Sequence, residues 1–134
     1  MEEIKVGEYI RTKDGVIAKV TYVDVMMVDC DRDVFDLNNL AMMEIPTKYI
    51  EEYIVKHSFD IKDLVQAGDI ILYNVNSKMT DIEIVKEHID ARTQEKTLRV
   101  GMWSLEQVKI KEILTKEQYN SMKYIVGDES NVKD

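Results

Sequence analysis

Ile4-Lys5-Val6-Gly7-Glu8-Tyr9-Ile10-Arg11-Thr12, then Lys13-Asp14-Gly15, then Val16-Ile17-Ala18-Lys19-Val20-Thr21-Tyr22-Val23-Asp24-Val25 is the stretch that decides the fold. Two runs rich in β-branched residues flank an Asp-Gly pair. That is the strongest short-range hairpin signal, because glycine accepts the positive φ of a tight turn. On the second run Val16, Ala18, Val20 and Tyr22 share one face at period two, and Ile17, Lys19, Thr21 and Val23 make a mixed opposite face.

The opening returns 61 residues later. Lys5-Val6-Gly7-Glu8-Tyr9-Ile10 reads against Gln66-Ala67-Gly68-Asp69-Ile70-Ile71: polar, small apolar, Gly, acid, any residue, Ile. A glycine bends the chain into the strand, and the following acid can hold nearby backbone. Six positions leave both duplication and chance open. The expectation is a mainly β (α+β with short helices) chain built from one or two small SH3-like β-barrel modules. An N-terminal β module is expected over 1–50, a C-terminal β module over 51–126, and a frayed polar tail over 127–134, with a single domain as the other possibility.

Between the modules, Asp60 is placed to cap a short helical turn over 61–65. Pro46, the only proline, marks a connection. Residues 81–89 fit either a helix, with Thr80 and Glu83 resembling a capping box, or a strand; the strand is preferred. Val108 to Lys111 alternates as a strand. Thr115-Lys116-Glu117-Gln118 matches a capping box and predicts a helix over about 116–123, followed by a strand at Tyr124-Ile125-Val126.

Composition narrows the function classes. The chain of 134 residues has 18 basic and 26 acidic residues, a formal net charge of −8. The excess is uneven: 7 basic against 13 acidic residues in 1–60, and 11 against 13 in 61–134. Nucleic-acid binding depends on Lys and Arg releasing counterions from phosphates, so direct binding to nucleic acid is not expected. A partner protein with a basic surface suits the acidic half, and plain solubility is the alternative. No apolar run approaches the ~20 residues of a membrane span, and the N-terminus lacks the pattern of a signal peptide. Cys30 is the single cysteine, beside two histidines, so neither an internal disulfide nor a Cys/His zinc site is expected. The expected setting is reducing and cytoplasmic.

No phosphate loop, dinucleotide fingerprint or nucleophile elbow occurs, so neither an enzyme nor a cofactor is expected. Asp29-Cys30-Asp31-Arg32-Asp33 opens like a calcium loop, but its sixth position is Val34 and its twelfth Leu40, where Gly and Glu are required. A metal is therefore not expected. Cys30 sits between carboxylates, which blunt a thiol. The more suggestive set is Asp24, Asp29, Asp31, Asp33 and Asp36, interleaved with Met26-Met27 and Met42-Met43. Carboxylates two apart on a strand stand about 6.6 Å from one another on one face. Such a row imitates phosphates, and methionine adapts to partners. The competing reading makes the aspartates a solvated loop and the methionines core.

Three segments carry a resemblance. Ile54 to Asp69, Lys5 to Thr12 and Ile110 to Tyr119 are similar to segments of uncharacterised small accessory proteins of phages and prophages of Gram-positive bacteria. The resemblance implies a phage accessory protein and brings no catalytic residues with it. The functional expectation that follows is a non-enzymatic protein that binds and inhibits a host defence factor in the host cytoplasm. Its most specific form is an anti-CRISPR that blocks a basic nucleic-acid groove. The alternatives are a virion or assembly component, or a protein that sequesters a nucleotide signal.

Overall fold

The turn at Gly7 shows how the chain is built, because it occurs twice. In the computed structural model, which describes residues 3–33, 40–76 and 79–127, Gly7 has φ 94° and Gly68 has φ 98°. Only glycine takes that conformation without cost. After each glycine an acidic side chain reaches back: Lys5 N–H donates to Glu8 Oε2 at 2.6 Å, and Gln66 N–H donates to Asp69 Oδ2 at 2.8 Å. The backbone repeats the pattern. Gly7 N–H bonds the Val20 carbonyl at 2.9 Å and Gly68 N–H the Val85 carbonyl at 2.8 Å, while Val20 and Val85 donate back to Glu8 and Asp69. The six-residue likeness in sequence is thus a likeness in geometry.

From each turn the chain follows the same itinerary. The first half runs β1 (Tyr9–Thr12), β2 (Ile17–Val23), β3 (Met27–Asp33), β4 (Leu40–Pro46), a 3-10 turn at Thr47–Tyr49, a one-turn helix α1 (Ile50–Tyr53) and β5 (Ile54–Ser58). These strands form one antiparallel sheet in the order β4-β3-β2-β1-β5. After a second 3-10 turn, Ile61–Leu64, come β6 (Ile70–Val75), β7 (Met79–Ile84), β8 (Lys86–Ile89), β9 (Lys96–Val100) and β10 (Trp103–Ser104). A 3-10 turn at Leu105–Gln107, β11 (Lys109–Leu114) and α2 (Lys116–Met122) complete the second half. Its two sheets, β11-β6-β7 and β10-β9-β8, are joined where the β7–β8 chain breaks at Val85. Read across that break, the order is the one seen in the first half. The protein is mainly β, and strand pairing leaves the sheets open rather than closed into barrels.

Each half has its own apolar cluster. Ile10, Val20, Val28, Cys30, Ile45 and Ile54 form the first, and Val65, Ile71, Tyr73, Val85, Val100 and Leu105 are in the second. Trp103 packs half-buried against the second cluster, and Met43 against the first. The halves meet over the other face of β1. There Arg11, fully buried, reaches the turn of the second half and the first turn of α2.

This arrangement bears out most of the local expectations and corrects others. β5 pairs with β1, so residues 54–58 belong with the first sheet, beyond the expected limit at 50. Residues 81–89 are strand, interrupted only at Val85. The Asp60 cap is present, accepting from Lys62 N–H at 3.0 Å, and so is the Thr115–Gln118 box that starts α2. No strand forms at Tyr124-Ile125-Val126: the chain leaves α2 extended, and these side chains stay exposed. With no neighbouring strand to supply partners, β-branched residues alone do not make a strand.

Candidate functional site: the acidic face of the first sheet

Alternation along β3 sends Val28 and Cys30 into the core, and Asp29 and Asp31 to the opposite face. Pairing then decides what each carboxylate meets. Asp31 stands opposite Lys19 of β2, whose ammonium lies 5.7 Å from the centre of the Tyr9 ring. Asp29 stands opposite Glu44 of β4. Directly opposed residues share a face at about 5 Å, so two like charges confront each other, an arrangement that destabilises a sheet. Asp29 Oδ1 is buried without a hydrogen-bond donor among the described residues.

A β-bulge completes the face. Val20 pairs with Cys30 and Tyr22 with Asp29, leaving Thr21 as an extra residue in β2. One inserted residue reverses the alternation beyond it. Tyr22 therefore does not continue the buried row of Ala18 and Val20 but stands half-exposed beside Asp29, while Val23 turns inward to the core. The Thr21 hydroxyl donates to the Asp29 carbonyl at 3.2 Å and steadies the bulge. Period-two reading missed Tyr22 and Glu44. No local signal announces a single-residue bulge, and register across β3–β4 is invisible without the pairing.

Asp24 lies off this row, in the β2–β3 turn. Its Oδ1 accepts from the N–H groups of Met26 and Met27 at 2.7 and 2.8 Å. Those backbone donors, with a hydrogen bond from Tyr22, hold its carboxyl below the ordinary value. The Tyr22 phenol is pushed up, first by that bond to Asp24 and then by the charges of Asp24 and Asp29. Asp33 ends β3 opposite Leu40, and Asp36 lies outside the described residues. The structure thus groups Tyr22, Asp29, Asp31 and Glu44 on one face, with Asp24 at its end. At the tip, Val25 and Met26 are 88% and 73% exposed.

Of the remaining chemical candidates, Cys30 is buried and His57 is paired. Cys30 is fully buried, and burial, followed by the charges of Asp29 and Asp31, pushes its thiol up to about 11. His57 Nδ1 is 2.9 Å from Glu8 Oε1, and His88 lies exposed on β8. No helix among the described residues is long and apolar enough to cross a membrane. In comparisons with protein-family models, curated proteins and solved structures, nothing matches this chain.

Proposed function

We propose that this chain is a non-enzymatic binding protein that presents the acidic face of its first sheet to a basic surface of a partner protein. The observation that supports the reading is the opposition of Asp29 and Glu44. Like charges held across a sheet cost stability, and a cationic partner surface offsets that cost on binding. Tyr22 between the carboxylates supplies the rigid aromatic area that binding surfaces favour. The reading as a binder rather than a catalyst draws on the buried, high-pKa thiol of Cys30 and on the engagement of His57 by Glu8. In the setting that the phage-protein resemblance implies, the partner is a host defence factor whose basic groove otherwise holds nucleic acid, and occupying that groove inhibits it.

The test is affinity capture from a Gram-positive host lysate, run in parallel with the Asp29→Asn/Asp31→Asn/Glu44→Gln variant. A basic protein retained by the wild-type chain, released as salt rises and lost to the variant, is expected. Capture of the same protein by both chains, or capture of capsid and tail proteins alone, refutes the proposal.

A further inference from the structure

We infer that a groove at the end of the first sheet, next to the acidic face, receives a basic segment of the partner through one apolar anchor residue. The inference rests on the partner-binding reading and names the second contact such a partner makes.

The groove has a volume of about 650 Å³, within the range that binds a ligand or a peptide side chain. Its floor is Ile4, Val28 and Ile50, and Val23 and Val25 form a wall. Ile4 and Val28 belong to the first core, and Ile50 packs against it. The floor is therefore as rigid as the core itself. Glu3, Asp24 and Glu51 stand around the rim, against one cation, Lys48, whose ammonium lies 5.0 Å from the centre of the Tyr49 ring.

The opposite wall is also fixed. Thr47 N–H donates to the Met26 carbonyl at 2.9 Å, and the Thr47 hydroxyl to the Asp24 carbonyl at 3.4 Å. These bonds tie the β2–β3 turn to the 3-10 turn that follows β4, so the groove is formed before anything enters it. Preorganised walls lower the ordering cost of binding.

Charge decides the occupant. Three carboxylates and one ammonium around an apolar floor favour a segment with lysine or arginine on both sides of a large apolar residue. An acidic segment is repelled, and a purely basic one leaves the floor wet. Val25 is 88% exposed on the wall, where an inserted apolar side chain would cover it. Asp24 joins the groove to the acidic face, so one cationic segment can cross both.

The experiment is fluorescence anisotropy with three labelled peptides: a leucine between two lysine pairs, the same peptide with serine for leucine, and a glutamate version of the first. Each is titrated with the wild-type chain and with two variants, Val25→Lys and Asp29→Asn/Asp31→Asn/Glu44→Gln. Val25 and Glu44 are exposed and Asp29 and Asp31 partly buried, and circular dichroism verifies the folding of both variants. The leucine–lysine peptide should bind best, with serine weakening it about tenfold and glutamate abolishing it. Val25→Lys should weaken it about tenfold or more, and the sheet-face variant, which removes charge but leaves the apolar anchor site, should weaken it less. Equal binding of the leucine and serine peptides overturns the groove as an anchor site. So does full binding by Val25→Lys. Loss only in the sheet-face variant overturns the groove while leaving the acidic face as the binding surface. Self-association of the chain, seen by light scattering and abolished by Val25→Lys, would overturn the assignment by showing a second copy as the occupant.

Discussion

Arg11 Nη1 lies 2.6 Å from Asp69 Oδ2, and both residues are completely buried although 58 positions separate them. The guanidinium pairs with both Asp69 oxygens, Nη2 reaching Oδ1 at 2.9 Å, and its Nη groups also donate to the Leu64 carbonyl at 2.9 Å and to Glu117 Oε1 at 2.6 Å. Asp69 in turn accepts from the N–H groups of Gln66 and Lys116. Burial alone would lower the Arg11 pKa, but the hydrogen bonds and charges of Asp69 and Glu117 hold it above its ordinary value. The acid that closes the repeated turn therefore also locks the two halves together. In the first repeat, Glu8 at the matching position pairs with His57 instead.

Removing one member of this cluster leaves a buried charge without its partner. Arg11→Met should lower stability by about 3–5 kcal/mol, the usual cost of breaking a buried pair from one side. A double-mutant cycle with Asp69→Asn should give a coupling of more than about 1 kcal/mol. Urea unfolding of the four chains measures it, and additive losses would show that the two residues do not act as a unit.

Glu8 supplies a pH dependence whose sign can be worked out. Burial pushes its carboxyl up, but hydrogen bonds from Lys5 N–H and His57, with their charges, outweigh this and set it below the ordinary value. A depressed carboxyl contributes stability above its unfolded value, near 4.3, and loses it as pH falls through the folded value. Glu8→Gln keeps an acceptor for Lys5 N–H and removes the charge. The variant should be less stable than wild type at pH 7, and the gap should shrink as pH drops below about 4.3. A gap that stays constant into acid would refute this assignment.

How far the fold was legible depended on the range of the signals. The Asp14-Gly15 hairpin, the Gly-acid turns, the Asp60 cap and the Thr115 box are all local: each is written within four residues, and each is present. What escaped was set by long-range pairing. The bulge at Thr21 puts Tyr22 on the acidic face, and the β3–β4 register puts Glu44 opposite Asp29. Arg11 is buried by the second half, a contact that no local pattern in the sequence announces. Tyr124 to Val126 reads as a strand because its composition is right, yet it has no partner strand among the described residues. Of the five aspartates singled out, Asp29 and Asp31 share a face by simple alternation, while Asp24 belongs to a turn whose position no period predicts.

Cys30 should be silent at neutral pH. Its full burial and a thiol pushed up to about 11 leave almost no thiolate available. Reaction with a disulfide reagent at pH 7 should be slow in the native protein and become fast in denaturant. Cys30→Ser should leave partner binding unchanged in the fraction that folds. Rapid native labelling, or loss of binding in a folded Cys30→Ser chain, would give the thiol a role that its surroundings do not suggest.

The last prediction separates charge kept for binding from charge that merely dissolves the protein. Asp29 and Glu44 oppose each other, and Asp29 Oδ1 is buried with no donor among the described residues. Asp29→Asn keeps the shape, removes one of the two opposed charges and gives the buried position a donor. It should therefore raise stability, by about 0.5–1 kcal/mol on the scale of cross-strand charge pairs. Glu44→Gln should act in the same direction, and the double variant should gain less than the sum, because either change alone already relieves the contact. If the face exists to meet a basic partner, these stabilising changes should also weaken binding and flatten its salt dependence, the exchange of stability against function that binding surfaces show. Thermal unfolding and partner binding, measured on the same preparations, provide the comparison. Greater stability with undiminished binding would mean that the opposed carboxylates are not what the partner reads. Lower stability in Asp29→Asn would mean that the Asp29 charge stabilises the sheet instead of opposing Glu44.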